Sequence, residues 1–300
     1  MRVFVAGATG YVGSAIVHEL LDAGHKVVGL ARSDTAAAAL TEVGVDVHRG
    51  DIADVGSLRA GAAESDAVIY AANQHISETT DSAGRARAEL AAVEAIGAEL
   101  EGTGKPFVVT SGVLGRTPGR LLTEETPNEA NALTALRLPV EQAVLVLGES
   151  GVRSSSVALA PTVHGEGDTR GFISTLIGIA RDKGVSAYVG DGTNRWPSVH
   201  RFDAATLYRL AVESAPAGTR LHAVAEEGVP FRDIADAIGR FLKLPLVSLT
   251  ADDASDHFSF LAPFVSLDSP VSNALTRQRF GWQPRHPGLI ADIEAGHYFG

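Results

Sequence analysis

Three glycines, each three residues after the last, lie near the start of the chain, within Gly7-Ala8-Thr9-Gly10-Tyr11-Val12-Gly13. The apolar run before them predicts a strand, and the pattern after them predicts a helix. Glycines in that setting allow a tight turn, a close approach of backbone to a diphosphate, and close packing of helix on strand. The N–H groups that begin the helix also attract an anion. The turn therefore predicts a dinucleotide site, with contacts from Gly7, Thr9, Gly10, Tyr11, Val12 and Gly13.

The end of the second predicted strand carries the residue expected to select the dinucleotide. Arg32 stands there, where a site for NAD would place a carboxylate against the ribose 2′-hydroxyl. A guanidinium matches a 2′-phosphate in charge and in forked geometry. We therefore expect NADP, and Asp34, two residues further on, keeps NAD open as the alternative.

Two more stretches follow predicted strands and would lie at the same edge of a sheet. Asp51 and Ile52 follow the third strand and fit a carboxylate and an apolar side chain flanking an adenine. Ala71, Ala72 and Asn73 follow the fourth strand and allow backbone to lie against the cofactor. Either stretch is equally compatible with an ordinary strand end.

The composition limits the class of protein. Three hundred residues, 45% hydrophobic and 20% charged, allow two domains or one large α/β unit with a small addition. Lys and Arg number 25 against 36 Asp and Glu, and the net charge of −11 disfavours binding to nucleic acid or anionic membrane. The absence of cysteine excludes thiolate metal sites and a cysteine nucleophile. Glu166 and Asp168 have no histidine at ligand spacing, so no metal site is expected.

Short β-branched runs alternate with Ala-rich helical patterns over the first 160 residues, which is typical of βαβ units. The predicted strands are Arg2–Ala6, Lys26–Ala31, Val45–His48, Ala67–Ala71, Phe107–Thr110 and Ser154–Leu159. The predicted helices are Val12–Ala23, Thr35–Val43, Val55–Ala60, Ser82–Glu101 and Asn131–Glu149. The expected fold class is α/β, a Rossmann-type doubly wound parallel sheet.

The pattern changes after residue 160. Glycine-rich segments and three shorter helical patterns follow with little predicted strand: Phe231–Leu242, Asp252–Phe258 and Val271–Phe280. We expect residues 1–160 to form a dinucleotide-binding domain. We expect residues 161–300 to form a small, mostly helical C-terminal substrate lobe, with some segments returning to the sheet. No apolar run approaches the roughly 18 residues of a membrane helix, and the start lacks a signal-peptide pattern, so we expect a cytoplasmic protein.

Several motifs together resemble the extended branch of the short-chain dehydrogenase/reductase superfamily, the NAD-dependent epimerase/dehydratase type. In chain order they are GATGYVG, GDIAD, VVTSG, ALAPTVHGEGD and WPSVHRFDAATLYRLAVE. The last is similar to the family's FVHVDD segment, with His200 and Asp203 in the matching places. The resemblance covers nearly the whole chain and implies that Pro161 and Val163 contact the cofactor.

The sequence departs from the family at its catalytic pair, a Tyr followed four residues later by a Lys. Leu133 and Arg137 stand at the matching positions, and none of the five tyrosines in the sequence has a lysine at that spacing. The resemblance therefore implies an atypical member that keeps the cofactor site and lacks the usual acid, which contributes roughly 10²–10⁴-fold to the rate. Arg137 remains able to hold the nicotinamide ribose by hydrogen bonds.

Other polar residues are candidates for the missing proton donor. The family's Thr/Ser element survives as Thr110 and Ser111 at the end of the fifth predicted strand. The sequence leaves open which of the two hydroxyls points inward. Further candidates, each more readily explained as a structural residue, are His75, His164, Tyr188 and His200.

Two functions of different classes remain open. The first is an NADPH-dependent reductase of a small organic substrate, with an imine, an activated alkene or a carbonyl as the acceptor. Without a strong acid, a protonated imine or an enone is easier to reduce than a simple ketone. The second is a non-catalytic NAD(P)-sensing regulator, and an epimerase or dehydratase is a weaker third.

Aromatic residues of the lobe favour the enzyme, since they can line an apolar pocket, although they are also compatible with a lobe core. They are Phe172, Trp196, Phe258, Phe260 and Phe264. The resemblance also implies a homodimer, formed through the two long predicted helices Ser82–Glu101 and Asn131–Glu149.

Overall fold

The structure, a computed structural model, describes residues 1–72, 81–127 and 129–299. Its strands are β1 (Arg2–Ala6), β2 (Lys26–Ala31), β3 (Asp46–Arg49), β4 (Ala67–Tyr70), β5 (Pro106–Gly112), β6 (Arg153–Leu159), β7 (Thr162–His164), β8 (Ser186–Val189), β9 (Arg195–His200), β10 (Thr219–Ala223), β11 (Glu226–Pro230) and β12 (Leu246–Leu249). Its α-helices are α1 (Tyr11–Asp22), α2 (Asp34–Glu42), α3 (Val55–Ala63), α4 (Ser82–Leu100), α5 (Leu138–Val146), α6 (Phe172–Lys183), α7 (Arg201–Ser214), α8 (Phe231–Leu242), α9 (Ala251–Phe258), α10 (Ala262–Val265), α11 (Ala274–Phe280) and α12 (Leu289–Glu294).

Seven strands of the described residues form one parallel sheet, in the order β10-β6-β5-β4-β1-β2-β3. The strand order reverses between β1 and β4, and doubly wound sheets bind ligands at the carboxyl ends of their strands near such a reversal. The predicted α/β fold class is confirmed, and each of the six predicted strands is present. The seventh strand, β10, comes from the second part of the chain and was not predicted.

Helices cover both faces of this sheet. Apolar side chains of α1, α2 and α7 pack on one face, and those of α3, α4 and α5 pack on the other. The covering on both sides explains the continuous apolar sequence of β1, which is buried over nearly its whole length. Because neighbouring side chains of a strand alternate between faces, successive residues at the end of β5 meet different helices.

The helix predicted over Asn131–Glu149 was wrong in its extent. The observed helix, α5, begins at Leu138 and ends at Val146, and residues 132–137 form turns. Pro139 lies in the first turn of α5, where its missing N–H and fixed φ are tolerated, whereas deeper in a helix it would break the hydrogen-bond ladder. Leu133 and Arg137 therefore do not share the face of one regular helix.

The second lobe has its own apolar core, built from α6, α8, α9, α10 and α12. Its described residues also form two small sheets, β11-β9-β7 and β12-β8, which the sequence did not predict. The helix predicted over Val271–Phe280 begins later, at Ala274, because Val271 forms a bridge with Leu122. No helix among the described residues combines the length and the apolar character needed to cross a lipid bilayer.

Candidate functional site

The glycine-rich turn packs backbone against backbone at the carboxyl edge of the sheet. Gly7 has a φ of +91°, and a Cβ on it would lie 2.7 Å from the backbone N of Ala72. A Cβ on Gly13 would lie 1.9 Å from the carbonyl O of Gly7. Glycine is therefore required for conformation and space at residue 7 and for space at residue 13. Ala71 and Ala72 form the opposite wall of the turn.

The turn brings the first N–H groups of α1 to this edge. Gly10 is the N-cap residue and offers no side-chain acceptor to them, and its own N–H donates to the carbonyl O of Gly7 at 2.9 Å. An uncapped helix start attracts an anion, because its N–H groups and the helix dipole both favour negative charge. The cradle and the uncapped turn fit the diphosphate of a dinucleotide, with Thr9 exposed beside Gly10.

Arg32 lies just past the end of β2, and its side chain is 80% exposed. Its Nη1 lies 3.7 Å from Oδ2 of Asp51, so the predicted contacts from β2 and β3 are neighbours. Asp34, the residue that kept NAD open, forms an ion pair with Arg49. Arg49 also donates to the carbonyl O of Ser33 at 2.7 Å. The carboxylate of Asp34 is therefore already paired with a cation of this chain.

The remaining predicted cofactor contacts are distributed around this edge. Val12 and Ile52 are partly buried against the two apolar cores. Pro161 and Val163 are partly buried on either side of Thr162, whose hydroxyl donates to the carbonyl O of Pro197 at 2.6 Å. The predicted sites Asn73 and His75 lie outside the described residues.

Thr110 points towards α7. Its Oγ1 donates to the carbonyl O of Tyr70 at 3.0 Å and lies 2.7 Å from the hydroxyl of Tyr208. Tyr208 is fully buried, and burial raises its pKa above the ordinary value, so its phenol stays protonated. The hydroxyl of Thr110 is therefore engaged in the interior on this side of the sheet.

Ser111 points towards the opposite face, where α5 packs. Its Oγ lies 2.8 Å from Oγ of Ser156 and accepts a hydrogen bond from Nη2 of Arg116 at 3.2 Å. Arg116 is itself fixed, because it pairs with Glu141 of α5 at 2.7 Å and its Nε donates to the carbonyl O of Gly112 at 2.7 Å. With Arg116 directed at the Ser111 oxygen, the hydroxyl hydrogen of Ser111 is left for a further acceptor when Ser156 is the donor of the hydrogen bond between the two serines.

Arg137 precedes α5, and its guanidinium lies over the end of β5. Nη1 is 3.9 Å from the position that a Cβ would take on Gly112, and Nη2 donates to Oε1 of Glu89 at 2.7 Å. The Nε–H is buried and has no acceptor among the described residues. Glu89 thus fixes the guanidinium at Nη2, and Nε has no acceptor among the described residues. A ligand at the sheet edge could supply one.

Tyr70, the last residue of β4, lies close to this pair. Burial raises the pKa of its phenol, the carboxylate of Glu89 adds to the increase, and Arg137 opposes it. The side chain is 2% exposed. Its phenol is therefore a neutral, buried group at neutral pH.

Several other predicted site residues lie away from the strand ends. Tyr188 belongs to β8 in the second lobe, pairs in register with Ser248, and packs 5.5 Å from the guanidinium of Arg232. Leu133 is 39% exposed and lies beside Gly115. Among the lobe aromatics, Trp196 and Phe258 are fully buried, Phe172 and Phe264 pack against the same core, and Phe260 is 38% exposed.

His164 at the end of β7 and His200 at the end of β9 are both buried and lie close together, with ring centres 5.4 Å apart. Nδ1 of His164 lies 2.9 Å from Oδ2 of Asp292, and His200 stacks on His286 with ring centres 4.6 Å apart. Burial, with help from both neighbouring imidazoles, lowers the pKa of His200 to about 4. His200 also accepts from the N–H of Phe202 as the N-cap residue of α7. Its contacts are those of a structural residue.

The glycine-rich turn is also tied to the segment after β7. The hydroxyl of Tyr11 donates to the carbonyl O of Gly165 at 2.9 Å, and the N–H of Gly165 donates to the hydroxyl of Tyr298 at 3.1 Å. Arg201 stacks on the Tyr11 ring at 4.6 Å and donates to the carbonyl O of Glu166 at 2.9 Å. Segments distant in sequence therefore converge at Gly165.

Arg116 and the two buried glutamates, Glu89 and Glu141, were not predicted from the sequence. A signal for Glu89 exists, because it lies three residues after Ala86 and four before Val93, both buried in α4. A carboxylate at a core position of a predicted amphipathic helix indicates a buried partner. Arg116 has no comparable signal, since it lies in an irregular segment.

Residues 3–224 match the NAD dependent epimerase/dehydratase family. The chain belongs to this family. An uncharacterized protein of Schizosaccharomyces pombe is 42% identical over 307 residues, covering 100% of both chains. The UDP-glucose 4-epimerase of Thermus thermophilus, solved in complex with NAD, matches with a TM-score of 0.78 and 22% identity over 100% of this chain and 99% of that one. A dTDP-glucose 4,6-dehydratase from Streptomyces venezuelae, solved with NAD bound, has a TM-score of 0.78 and 19% identity over 98% and 96%.

Proposed function

We propose that this protein is an NADPH-dependent reductase of a small organic substrate. The observation that carries the proposal is the position of Ser111, which accepts from Arg116 at 3.2 Å near the guanidinium of Arg137, whose buried Nε has no acceptor among the described residues. When bound, the cofactor supplies a hydride from its nicotinamide ring. Family membership and the glycine-rich cradle support a nicotinamide cofactor at this edge.

The adenosine side of the site favours NADP over NAD. Arg32 can approach a 2′-phosphate because its side chain is 80% exposed and its ion pair with Asp51 is long, at 3.7 Å. Asp34 is paired with Arg49. A carboxylate engaged in this way competes poorly for a ribose 2′-hydroxyl, whereas the forked guanidinium of Arg32 suits a 2′-phosphate.

The hydrogen-bond donor at the reaction centre would be Ser111. A hydride adds to the electrophilic carbon of the substrate, and the displaced electron pair moves to the atom at the other end of the acceptor group. The hydroxyl of Ser111 can stabilise that charge by a hydrogen bond, but an alcohol is too weak an acid to neutralise a full alkoxide. A protonated imine or an activated alkene places less charge there, so these are the proposed substrate classes.

Steady-state oxidation of NADPH with matched ketone, cyclic imine and enone substrates tests the proposal. We expect kcat/KM for the imine or the enone to exceed that for the ketone by about 10²-fold, the size of an ordinary acid contribution. A clear preference for the unactivated ketone would contradict the proposed substrate classes. Binding of NADPH without turnover of any substrate would contradict the reductase.

A nucleotide-sensing protein is the second candidate, favoured by the exposed Leu133 at the position where the family places its acid. The variant Leu133→Tyr/Arg137→Lys separates the two functions. A reductase gains little from it, because residue 133 precedes α5 and the new phenol is not fixed by a helix. The sensor would be favoured if the wild-type protein reduces none of the ketone, imine and enone substrates while Leu133→Tyr/Arg137→Lys reduces ketones.

A further inference from the structure

Glu89 is a buried acid that the proposed function does not yet use. It lies in the middle of α4 with 6% exposure, among the residues of that helix that face the core. A buried carboxylate needs a partner, because an isolated charge in the interior is strongly unfavourable. The partner is Arg137, at 2.7 Å.

The pairing of Glu89 with Arg137 differs from the other arginine–glutamate pair at the end of β5. In that second pair, Nε of Arg116 donates to a backbone carbonyl, and Nη1 and Nη2 both contact Glu141. In Arg137 only Nη2 is paired with an acid. Its Nε–H is buried with no acceptor among the described residues, and Nη1 faces the open side of Gly112. The Nε–H of Arg137 is thus a buried donor without a partner at the sheet edge, and a bound ligand would supply its acceptor.

We infer that Glu89 is a positioning residue that fixes the orientation of the Arg137 guanidinium in the cofactor site and offsets its positive charge. The inference rests on the proposed function, since it requires a nicotinamide dinucleotide at this edge. The oxidised nicotinamide ring carries a positive charge, and the reduced ring is neutral. An unpaired cation beside the ring would therefore weaken binding of the oxidised form selectively. By cancelling that charge, Glu89 makes release of a hydride from the bound cofactor easier.

Equilibrium titrations with NADPH and with NADP⁺ measure this effect without any substrate. Glu89→Gln keeps the shape of the side chain and removes its charge. We expect it to raise the ratio of Kd for NADP⁺ to Kd for NADPH by roughly three- to tenfold, for a charge pair partly screened by solvent. Glu94→Gln is the matched control, because Glu94 lies on the same helix and is exposed. It should leave the ratio unchanged.

A charge cycle separates electrostatics from packing. Arg137→Gln leaves the carboxylate of Glu89 alone and should lower the same ratio, whereas Glu89→Gln/Arg137→Gln removes both charges and should return it towards the wild-type value. Glu89→Asp keeps the charge and should stay close to wild type. If Glu89→Gln fails to fold, Glu89→Gln/Arg137→Gln should still show a higher ratio of Kd for NADP⁺ to Kd for NADPH than Arg137→Gln alone.

The two dissociation constants also distinguish this inference from the proposed function. If Glu89 only supports the fold, its variants will weaken NADPH and NADP⁺ equally, and the inference is then overturned while the reductase stands. If the wild-type protein binds neither form of NADP nor NAD, both the reductase and the inference are overturned.

Discussion

Thr110 and Ser111 are neighbours in β5, yet their hydroxyls lie on opposite faces of the sheet, one against Tyr208 and the other beside Arg116. The strand geometry therefore assigns different roles to two residues that the sequence leaves equivalent. One hydroxyl is bonded within the interior. The other is oriented by a guanidinium at the candidate reaction centre.

Ser111→Ala should lower kcat for the preferred substrate by about 10- to 100-fold, because it removes the donor to the developing charge. The dissociation constant for NADPH should change little. Steady-state kinetics and a fluorescence titration measure the two quantities.

Thr110→Val should show the reverse pattern. It leaves the buried hydroxyl of Tyr208 without its partner, which should reduce the free energy of unfolding by about 1–3 kcal/mol, while kcat changes little. Urea denaturation measures the loss. A larger loss of kcat in Thr110→Val than in Ser111→Ala would show that Thr110, and not Ser111, faces the substrate.

Arg32→Glu should reverse or abolish a preference for NADPH over NADH, because it replaces the partner of a 2′-phosphate with a carboxylate that suits a 2′-hydroxyl. Titration of each cofactor against wild type and variant measures the preference. Arg277→Glu, an equal charge change at an exposed position in α11, is the control. Identical curves for NADPH and NADH with the wild-type protein would rule out the NADP assignment.

Gly13→Ala should abolish cofactor binding and destabilise the fold by more than about 3 kcal/mol, because its Cβ would lie 1.9 Å from the carbonyl O of Gly7. Gly178→Ala provides a matched comparison. Nothing lies within 4 Å of a Cβ at that position in α6, so the higher helix propensity of alanine should stabilise the protein by about 0.5–1 kcal/mol. Thermal unfolding of both variants tests the contrast.

The pH dependence of stability should carry a contribution from His200. Its pKa is about 4 in the folded protein and 6.5 without the fold, so the unfolded state binds more protons between these values. The free energy of unfolding should therefore fall as the pH decreases through this window, by about 1–2 kcal/mol after allowance for solvent, and stay unaffected above it.

His200→Asn keeps an acceptor at the N-cap of α7 and should flatten this part of the pH profile. The groups that face His200 are His164, His286, Asp203 and Asp292, and all remain in the variant. His18→Asn, at an exposed position, should leave the profile as in wild type. Equal slopes for His200→Asn and wild type would contradict the assignment.

The glycine-rich turn and the first six strands could be predicted because local signals agree with the global fold there. Gly7 and Gly13 are required by backbone contacts that any dinucleotide turn of this type makes. The Ala-rich periodicity before α5 predicts an earlier start than the observed one, because the position of Pro139 in the first turn of the helix outweighs that pattern.

The polar groups around Ser111 could not be predicted for a different reason. Arg116 reaches Ser111 and Glu141 only after β5, an irregular segment and α5 are assembled. Sequence spacing carries no information about such contacts, since they depend on the packing of separate elements. The same holds for β10, whose pairing with β6 joins residues 64 positions apart in register, as for Thr219 and Ser155.

The hydrogen bonds at Gly165 give the glycine-rich turn a mechanical connection to the C-terminal part of the chain. Tyr11 holds the carbonyl O of Gly165, and Tyr298 holds its N–H. A rotation of the second lobe away from the sheet would have to break the bond to Tyr11 or carry the turn along. A movement of the C-terminal segment would consequently be transmitted to the glycine-rich turn through the backbone of Gly165.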